Sequence, residues 1–397
     1  MNILLIHQSF VSPAESGGTR HYEFARHLIY QGHQVTIVAS SLSYLTGQKM
    51  TSGRRLVTEH FLDGIRILRA ATMPTLHRSF VWRTVSFLSF MLTSIIASLK
   101  AGKCDIVIST SPPIFQGISG WIVACLRRRP YLLEIRDLWP EFAIDMGVLT
   151  NPMLISFSRM LEGFLYSRAA TIIVNSPAYV DYLMAHEIPK SKVALIPNGV
   201  DPTMFVTDSE GSSMRKYLKL ENKFIVTYAG ALGLANNIEL VLEAACRLRG
   251  DPVIHFLIAG DGKERQHLEF MAHDMALDNI TFIGSYPKTE IPKVLAASDA
   301  CLAVLQNIPM FRTTFPNKVF DYMAAARPTV LVIDGVIRQV LEAANGGIYV
   351  PPGNVDALAD AVRYLKTHRA EAVAMGQAAQ AYVAKHFNRA DHAVLFN

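Results

Sequence analysis

Short apolar runs that alternate with helix-length segments constrain this chain more than any other feature. In the first half the runs fall at residues 3–6, 34–39, 65–68, 105–109, 131–135, 171–174 and 193–196, with a helix-like stretch over 19–30. The alternation restarts after about residue 222, with runs at 224–228, 253–259, 280–283, 300–305, 329–333 and 347–350. They are rich in Val and Ile and lack strict polar alternation, as expected of parallel strands buried on both faces. Two such β-α series predict an α/β protein with two doubly wound, Rossmann-like domains. Pro197-Asn198-Gly199 is a strong turn signal, which places the boundary between 197 and 221. The expected division is 1–200, 201–375 and a final helical segment 376–397, with residues 208–213 as a surface loop and 370–387 as helix.

Composition narrows the class. Half of the 397 residues are apolar and 18% are charged, which excludes intrinsic disorder. The mean hydropathy of +0.23 calls for extensive burial or contact with lipid. Cys104, Cys125, Cys246 and Cys301 show no C-x-x-C spacing, so neither a disulfide scaffold nor a zinc ribbon is expected. The first residues lack a basic region and cleavage site and read as a strand rather than a signal peptide. Charge is uneven: residues 1–200 carry 19 Lys and Arg against 12 Asp and Glu, and residues 201–397 carry 19 against 21. The basic half suits phosphates, nucleic acid or an anionic membrane surface.

Segment 79–100 holds 16 consecutive uncharged residues, 84–99, fewer than the roughly 20 needed to span a bilayer. Ser79, Arg83, Ser86, Thr93 and Ser98 fall near one stripe, opposite Phe80, Trp82, Phe87, Leu88, Met91 and Ile95. Two readings stay open: a helix packed on the sheet, or one lying in a membrane interface. Arg78, Arg83, Lys100 and Lys103 help the second reading, and Arg127-Arg128-Arg129 is either a solvated face or an anionic contact.

The common catalytic fingerprints are absent. There is no G-x-G-x-x-G after the first run, no P-loop, no H-E-x-x-H, no D-x-D diacid and no G-x-S-x-G elbow. Smaller signals lie at strand ends, where doubly wound sheets bind ligands. Gly17-Gly18 after the first strand is either a loop leading into a helix or a phosphate-approach loop. Glu134-Ile135-Arg136-Asp137-Leu138-Trp139-Pro140 closes a strand with a carboxylate, an arginine and a proline-fixed turn, a catalytic edge or a structural Arg–Asp pair. Asn317-Lys318-Val319-Phe320-Asp321 opens a helix, with Lys318 in the first turn and Asp321 one turn on, on one face. A cation at a helix N-terminus suits a diphosphate and the carboxylate suits ribose hydroxyls; a capped surface helix is the plainer reading. Ser285-Tyr286-Pro287-Lys288 matches S-x-x-K by chance.

Together these segments resemble the retaining GT-B glycosyltransferases of glycosyltransferase family 4. The likeness is carried by Gly17-Gly18, Ile135–Pro140, Asn198-Gly199-Val200-Asp201, Ala259-Gly260-Asp261-Gly262 and Pro316–Ala325. It is strongest toward the WbuB-like subgroup, which is similar to N-acetyl-L-fucosaminyltransferases. The resemblance implies two domains facing a cleft, acceptor on the N-terminal side and nucleotide sugar on the C-terminal side, with the last helix crossing back. It implies that Gly17, Gly18, Gly230, Ser285, Tyr286, Arg312, Asn317, Lys318 and Asp321 bind the donor. Asp321 would take the ribose, Lys318 the diphosphate, and Ser285 and Tyr286 the base. Gly17 and Gly18 would close on the diphosphate from the other domain. Arg136 and Asp137 would serve the acceptor side, and Asp137, Lys318 and Gly18 the catalysis. The sequence departs from the family pattern at Thr313, where a first glutamate is common. It also departs at Arg136 for a frequent His and at Ala326 for a frequent Gly. In 231–237 it lacks the diphosphate-clamping Arg and Lys, leaving Lys318 and Arg312 as the cations.

The implied activity is metal-independent, retaining transfer of an N-acetylfucosamine-like sugar from a UDP-sugar, with no cofactor or metal. The implied acceptor is a lipid-linked saccharide in bacterial surface-polysaccharide synthesis, with the protein cytoplasmic and peripheral on the inner face of the plasma membrane. A UDP-sugar 2-epimerase of related fold, a nicotinamide oxidoreductase and a non-enzymatic nucleotide- or membrane-binding module remain as alternatives. Nucleic-acid binding has only the charge in its favour.

Overall fold

The first alternating series folds into one sheet, in a computed structural model that describes residues 1–43, 47–50, 55–75, 80–205 and 209–396. Its strands are β1 (Asn2–Ile6), β2 (Gln34–Ser40), β3 (Val57–Leu62), β4 (Ile65–Ala70), β5 (Ile106–Ser111), β6 (Tyr131–Ile135), β7 (Thr171–Val174) and β8 (Val193–Leu195). Among the described residues the sheet has the order β3-β4-β2-β1-β5-β6-β7-β8. All neighbours are parallel except β3 and β4. The helices between them are α1 (Arg20–Tyr30), α2 (Phe80–Lys100), α3 (Phe115–Arg127), α4 (Glu141–Asp145), α5 (Pro152–Arg168) and α6 (Pro177–Ala185). Ile3, Leu5, Val35, Ile37, Ala39, Ile65 and Ile67 supply much of the core between α1 and the sheet.

The second series forms β9 (Phe224–Ala229), β10 (Ile254–Ala259), β11 (Ile280–Gly284), β12 (Ala300–Val304), β13 (Thr329–Val332) and β14 (Gly347–Tyr349), in the order β11-β10-β9-β12-β13-β14 and wholly parallel. Every residue of β9, β10, β12 and β13 is buried, which explains their largely apolar runs. Its helices are α7 (Ser209–Leu218), α8 (Glu239–Arg247), α9 (Arg265–Asp274), α10 (Ile291–Ala296), α11 (Asn317–Ala324), α12 (Val336–Ala343), α13 (Val355–Thr367), α14 (Arg369–His386) and α15 (Arg389–Ala393). Strand order reverses beside β1 and β5 in the first sheet and beside β9 and β12 in the second. The carboxyl ends there are the positions where doubly wound sheets hold ligands.

The chain divides into two units. One comprises Met1–Ser12, Thr19–Pro197 and His392–Asn397; the other comprises Pro13–Gly18 and Asn198–Asp391. This corrects two expectations. Segment 376–397 is not one returning helix: α14 packs on α11 inside the second unit, and only the chain from His392 groups with the first. Gly17-Gly18 groups with the second unit, not the first. The expected loop 208–213 is also helical from Ser209, because Gly211 lets α7 press against the Ala296 carbonyl; Asp208 lies outside the described residues.

Candidate active site

In the second unit, the loops after β9, β10 and β11 are tied backbone to backbone. Gly230 N–H donates to Ala259 O at 2.9 Å, Leu232 N–H to Asp261 O at 2.9 Å, and Gly260 N–H to Gly284 O at 2.8 Å. A Cβ at Gly260 would overlap the Gly230 carbonyl, and one at Gly262 the Leu232 carbonyl. The 259–262 glycines are thus needed for this close approach.

α11 begins at this rim and is fixed there by Tyr322. That phenol is fully buried, receives the Ala229 N–H at 2.8 Å and donates to Ala229 O at 3.1 Å. Lys318, in the first turn of α11, reaches back over β9. Its Nζ donates to Tyr228 OH and to Asn236 Oδ1, both at 2.7 Å, and lies 4.2 Å from the Tyr228 ring centroid. A Cβ at Gly230 would come within 3.0 Å of that nitrogen. Burial pushes the Lys318 ammonium down to about 7. The 231–237 loop therefore supplies an amide, Asn236, rather than a cation, and α11 supplies the cation.

Asp321 turns to a different partner. Its Oδ2 receives Lys288 Nζ at 2.5 Å, with the two side chains only 14% and 8% exposed. Sequence reasoning missed Lys288 by treating 285–288 as a chance match. The available signal was its position just beyond the carboxyl end of β11. Lys288 N–H donates to Glu15 O at 3.1 Å and Thr289 N–H to Pro13 O at 3.3 Å, which fasten the loop bearing Gly17-Gly18. Gly18 lies against Asn317: a Cβ there would be 3.7 Å from Asn317 Nδ2. Gly17, Gly18, Gly230, Asn317, Lys318 and Asp321 thus gather around the N-terminus of α11.

The other predicted donor residues are placed differently. Arg312 is exposed and faces Asp334, 3.9 Å away, and no described contact joins it to Lys318 or Gly230. The turn that holds it bends toward α12, where Gly335 is pressed on its carbonyl, so the structure does not gather it with Lys318. Ser285 is exposed, and Tyr286 is half-buried with its phenol raised by burial and by neighbouring Tyr217 and Glu290.

In the first unit, the carboxyl ends of β1, β5 and β6 enclose a buried polar cluster. Glu134 does not edge a site; it is 1% exposed and accepts from Arg20 Nε at 3.0 Å and from His21 Nε2. Burial would raise its carboxyl, but His21 and Arg20 outweigh that and hold it well below the usual range. Arg20 also donates to Pro197 O and Ile196 O, each at 2.7 Å. His7, immediately after β1, is held well below its ordinary value by burial and then by His21, Arg136 and Arg69. Arg136 Nη1 lies 3.4 Å from His7 Nε2 and can only donate, so the His7 proton sits on Nδ1 and is given to Thr110 Oγ1 at 2.9 Å. Arg136 is positioned further by Asn175, which donates to its carbonyl at 3.0 Å. Asp137 follows with an exposed face; the protein around it raises its carboxyl, and Arg136 opposes that. The structure thus brings Arg136 and Asp137 together and adds His7, which the sequence reading did not single out.

Two Rossmann-like units with polar groups at the carboxyl ends of their switch-point strands define the GT-B fold. Sucrose-phosphate synthase from Thermosynechococcus elongatus shares it with a TM-score of 0.78 at 20% identity, over 100% of this chain and 97% of that one. Anabaena HepE in complex with UDP-glucose shares it with a TM-score of 0.74 at 16% identity, over 99% and 97%. The sequence models for the glycosyl transferase 4-like domain and for glycosyl transferases group 1 match residues 17–199 and 210–382. The chain belongs to this glycosyltransferase family. A relative in Escherichia coli (strain K12), "Putative colanic acid biosynthesis glycosyl transferase WcaI", is 24% identical over 91% of each chain.

Proposed function

We propose that this enzyme moves a sugar from a UDP-sugar to a lipid-linked saccharide, with retention and without a metal, in bacterial surface-polysaccharide synthesis. The observation that carries the reading is Lys318 at the N-terminus of α11, seated against Gly230, with Asp321 one turn on. A cation, a helix N-terminus and a glycine without a side chain suit a diphosphate, and the carboxylate suits a ribose diol. The UDP-glucose complex of HepE and the colanic acid role in WcaI's name support the donor and the pathway class. An N-acetylfucosamine-like sugar and the WbuB-like subgroup are our choice within that class.

The acceptor hydroxyl attacks the anomeric carbon on the face from which the diphosphate departs. The carbon–oxygen bond to the diphosphate breaks, and the leaving phosphate oxygen takes the acceptor's proton, so no protein nucleophile is required. Lys318, the α11 N-terminus and the Gly17-Gly18 backbone offset the charge that grows on UDP. Asp137, held beside Arg136, orients the acceptor or the cationic sugar. No cofactor enters the scheme, and the lipid of the acceptor puts the reaction at the inner face of the plasma membrane.

The test is thermal unfolding with UDP, GDP, CMP, ADP or NAD⁺, each with Mg²⁺ and with EDTA. UDP is expected to raise the midpoint in both, since a ligand at about 100 times its Kd adds about 2.7 kcal/mol to the folded state. A rise with NAD⁺ alone overturns the reading. Asp137→Ala is expected to keep the UDP response and to lose transfer by about 100-fold; an unchanged rate removes Asp137 from the scheme.

A further inference from the structure

α2 is built inside out. Ser86, Ser94 and Ser98 are fully buried, with Phe90 and Ala97, while Val81, Trp82, Leu88, Leu92, Ile96 and Leu99 are exposed, Leu92 to 59%. Along this face the hydroxyls of Ser86, Thr93 and Ser94 bond inward, while that of Ser98 has no partner among the described residues. Ser86 Oγ donates to Met73 O at 3.0 Å, Thr93 Oγ1 to Ala71 O at 2.8 Å, and Ser94 Oγ to Ser119 Oγ of α3 at 3.0 Å. Arg127 closes the far end, with Nη2 donating to Ser98 O at 2.9 Å and Leu99 O at 3.0 Å. By length and composition Val81–Lys100 could cross a bilayer. These bonds, and packing on α3, β1, β2 and β4, hold it along the unit instead.

The exposed apolar surface does not stop at α2. Right-handed crossovers from β4 to β5, β5 to β6 and β6 to β7 put α2, α3 and α5 side by side on one face of the sheet. α5 exposes Met153, Phe157 and Met160 at helical spacing, with Met153 exposed to 79%. Trp121 of α3 and Phe164 of α5 meet edge to face at 4.9 Å between them. The charges are of one sign: α2 and α3 contain no acidic residue, and Lys100, Lys103, Arg128, Arg129 and Arg168 are exposed along the layer. On α5, the one carboxylate, Glu162, is buried against Tyr166 OH at 2.6 Å.

We infer that the outer face of α2, α3 and α5 docks the first unit on an anionic lipid bilayer, with α2 lying in the interface plane. A soluble protein gains nothing by turning leucines to water and serines to its core. At a bilayer the leucines enter the acyl boundary while the basic residues pair with anionic headgroups. The inference rests on the reading that the acceptor is lipid-linked and adds the surface that presents the enzyme to it.

The test is co-sedimentation of the full chain with phosphatidylcholine vesicles containing or lacking phosphatidylglycerol, at low and high salt. The wild type is expected to bind the anionic vesicles, and less at high salt. Leu92→Glu with Ile96→Glu, and separately Phe157→Glu with Met160→Glu, are expected to lose about tenfold or more in vesicle affinity. Each should keep the wild-type UDP-induced rise in melting temperature, which shows that the chain is folded and the donor side intact. Variants that fold and bind vesicles like the wild type overturn the inference. So does a wild type that ignores vesicles, or one that forms an oligomer broken by Leu92→Glu, which makes the face a contact between copies. Vesicle binding without any UDP response would leave the docking face standing and overturn the donor reading.

Discussion

Lys318 shows how one residue's burial becomes a pH dependence. Burial lowers its pKa to about 7, so in the free enzyme it loses its proton as pH rises through neutrality. A bound diphosphate restores the proton. UDP affinity should therefore be highest below pH 7 and fall as pH rises from 7 to 9, by up to about tenfold per unit. Phosphate's own ionisation near about 6 is complete in that window. Calorimetric titration across the range measures it, and Lys318→Met should bind weakly at every pH with no slope. Lys288 gives a second prediction. It shares Asp321 at 2.5 Å, so Asp321 Oδ1 and the Lys288 ammonium are the two groups offered to a ribose diol. UDP should bind about tenfold tighter than 2′-deoxy-UDP. Lys288→Met should erase the preference and still bind both nucleotides; a preserved preference rejects the role. Neither partner choice was legible in the sequence. The 318/321 spacing promises one shared face, but Lys318 turns to Tyr228 and Asp321 to Lys288 because different strand ends lie beside each.

At the scale of elements, strand positions were largely legible because parallel strands buried on both faces are mostly apolar runs without strict alternation. β3 escaped because it is an exposed antiparallel edge with polar Thr58, Glu59 and His60. Its signal was Asp63-Gly64, whose φ values of 48° and 81° make the tight hairpin. α2 was legible as a helix and not in its polarity, since helical periodicity finds two faces without saying which one meets protein. The end of α11 yields a stability prediction. Ala326 holds φ 54°, a left-handed conformation that costs a side-chain residue about 1 kcal/mol. Ala326→Gly should raise stability by up to about 1 kcal/mol, read from denaturant unfolding; a loss would mean that the freedom glycine adds to the unfolded chain outweighs the relief.

For the whole molecule, the sequence by itself determined the two α/β series, the basic first half and the glycosyltransferase family. These are written in local runs, composition and short strand-end motifs, which need no knowledge of neighbours. The tertiary structure decided the rest: that Glu134 is a buried counter-ion for Arg20 rather than an edge carboxylate, and that Lys288 meets Asp321. It also decided that Arg312 turns away toward Asp334, that Gly17-Gly18 groups with the second unit, and that α2 shows its leucines to the outside. The physical reason is common to all five. Each depends on which groups from distant parts of the chain come to lie within a few ångströms, and burial and hydrogen bonding at that range fix a side chain's charge and direction.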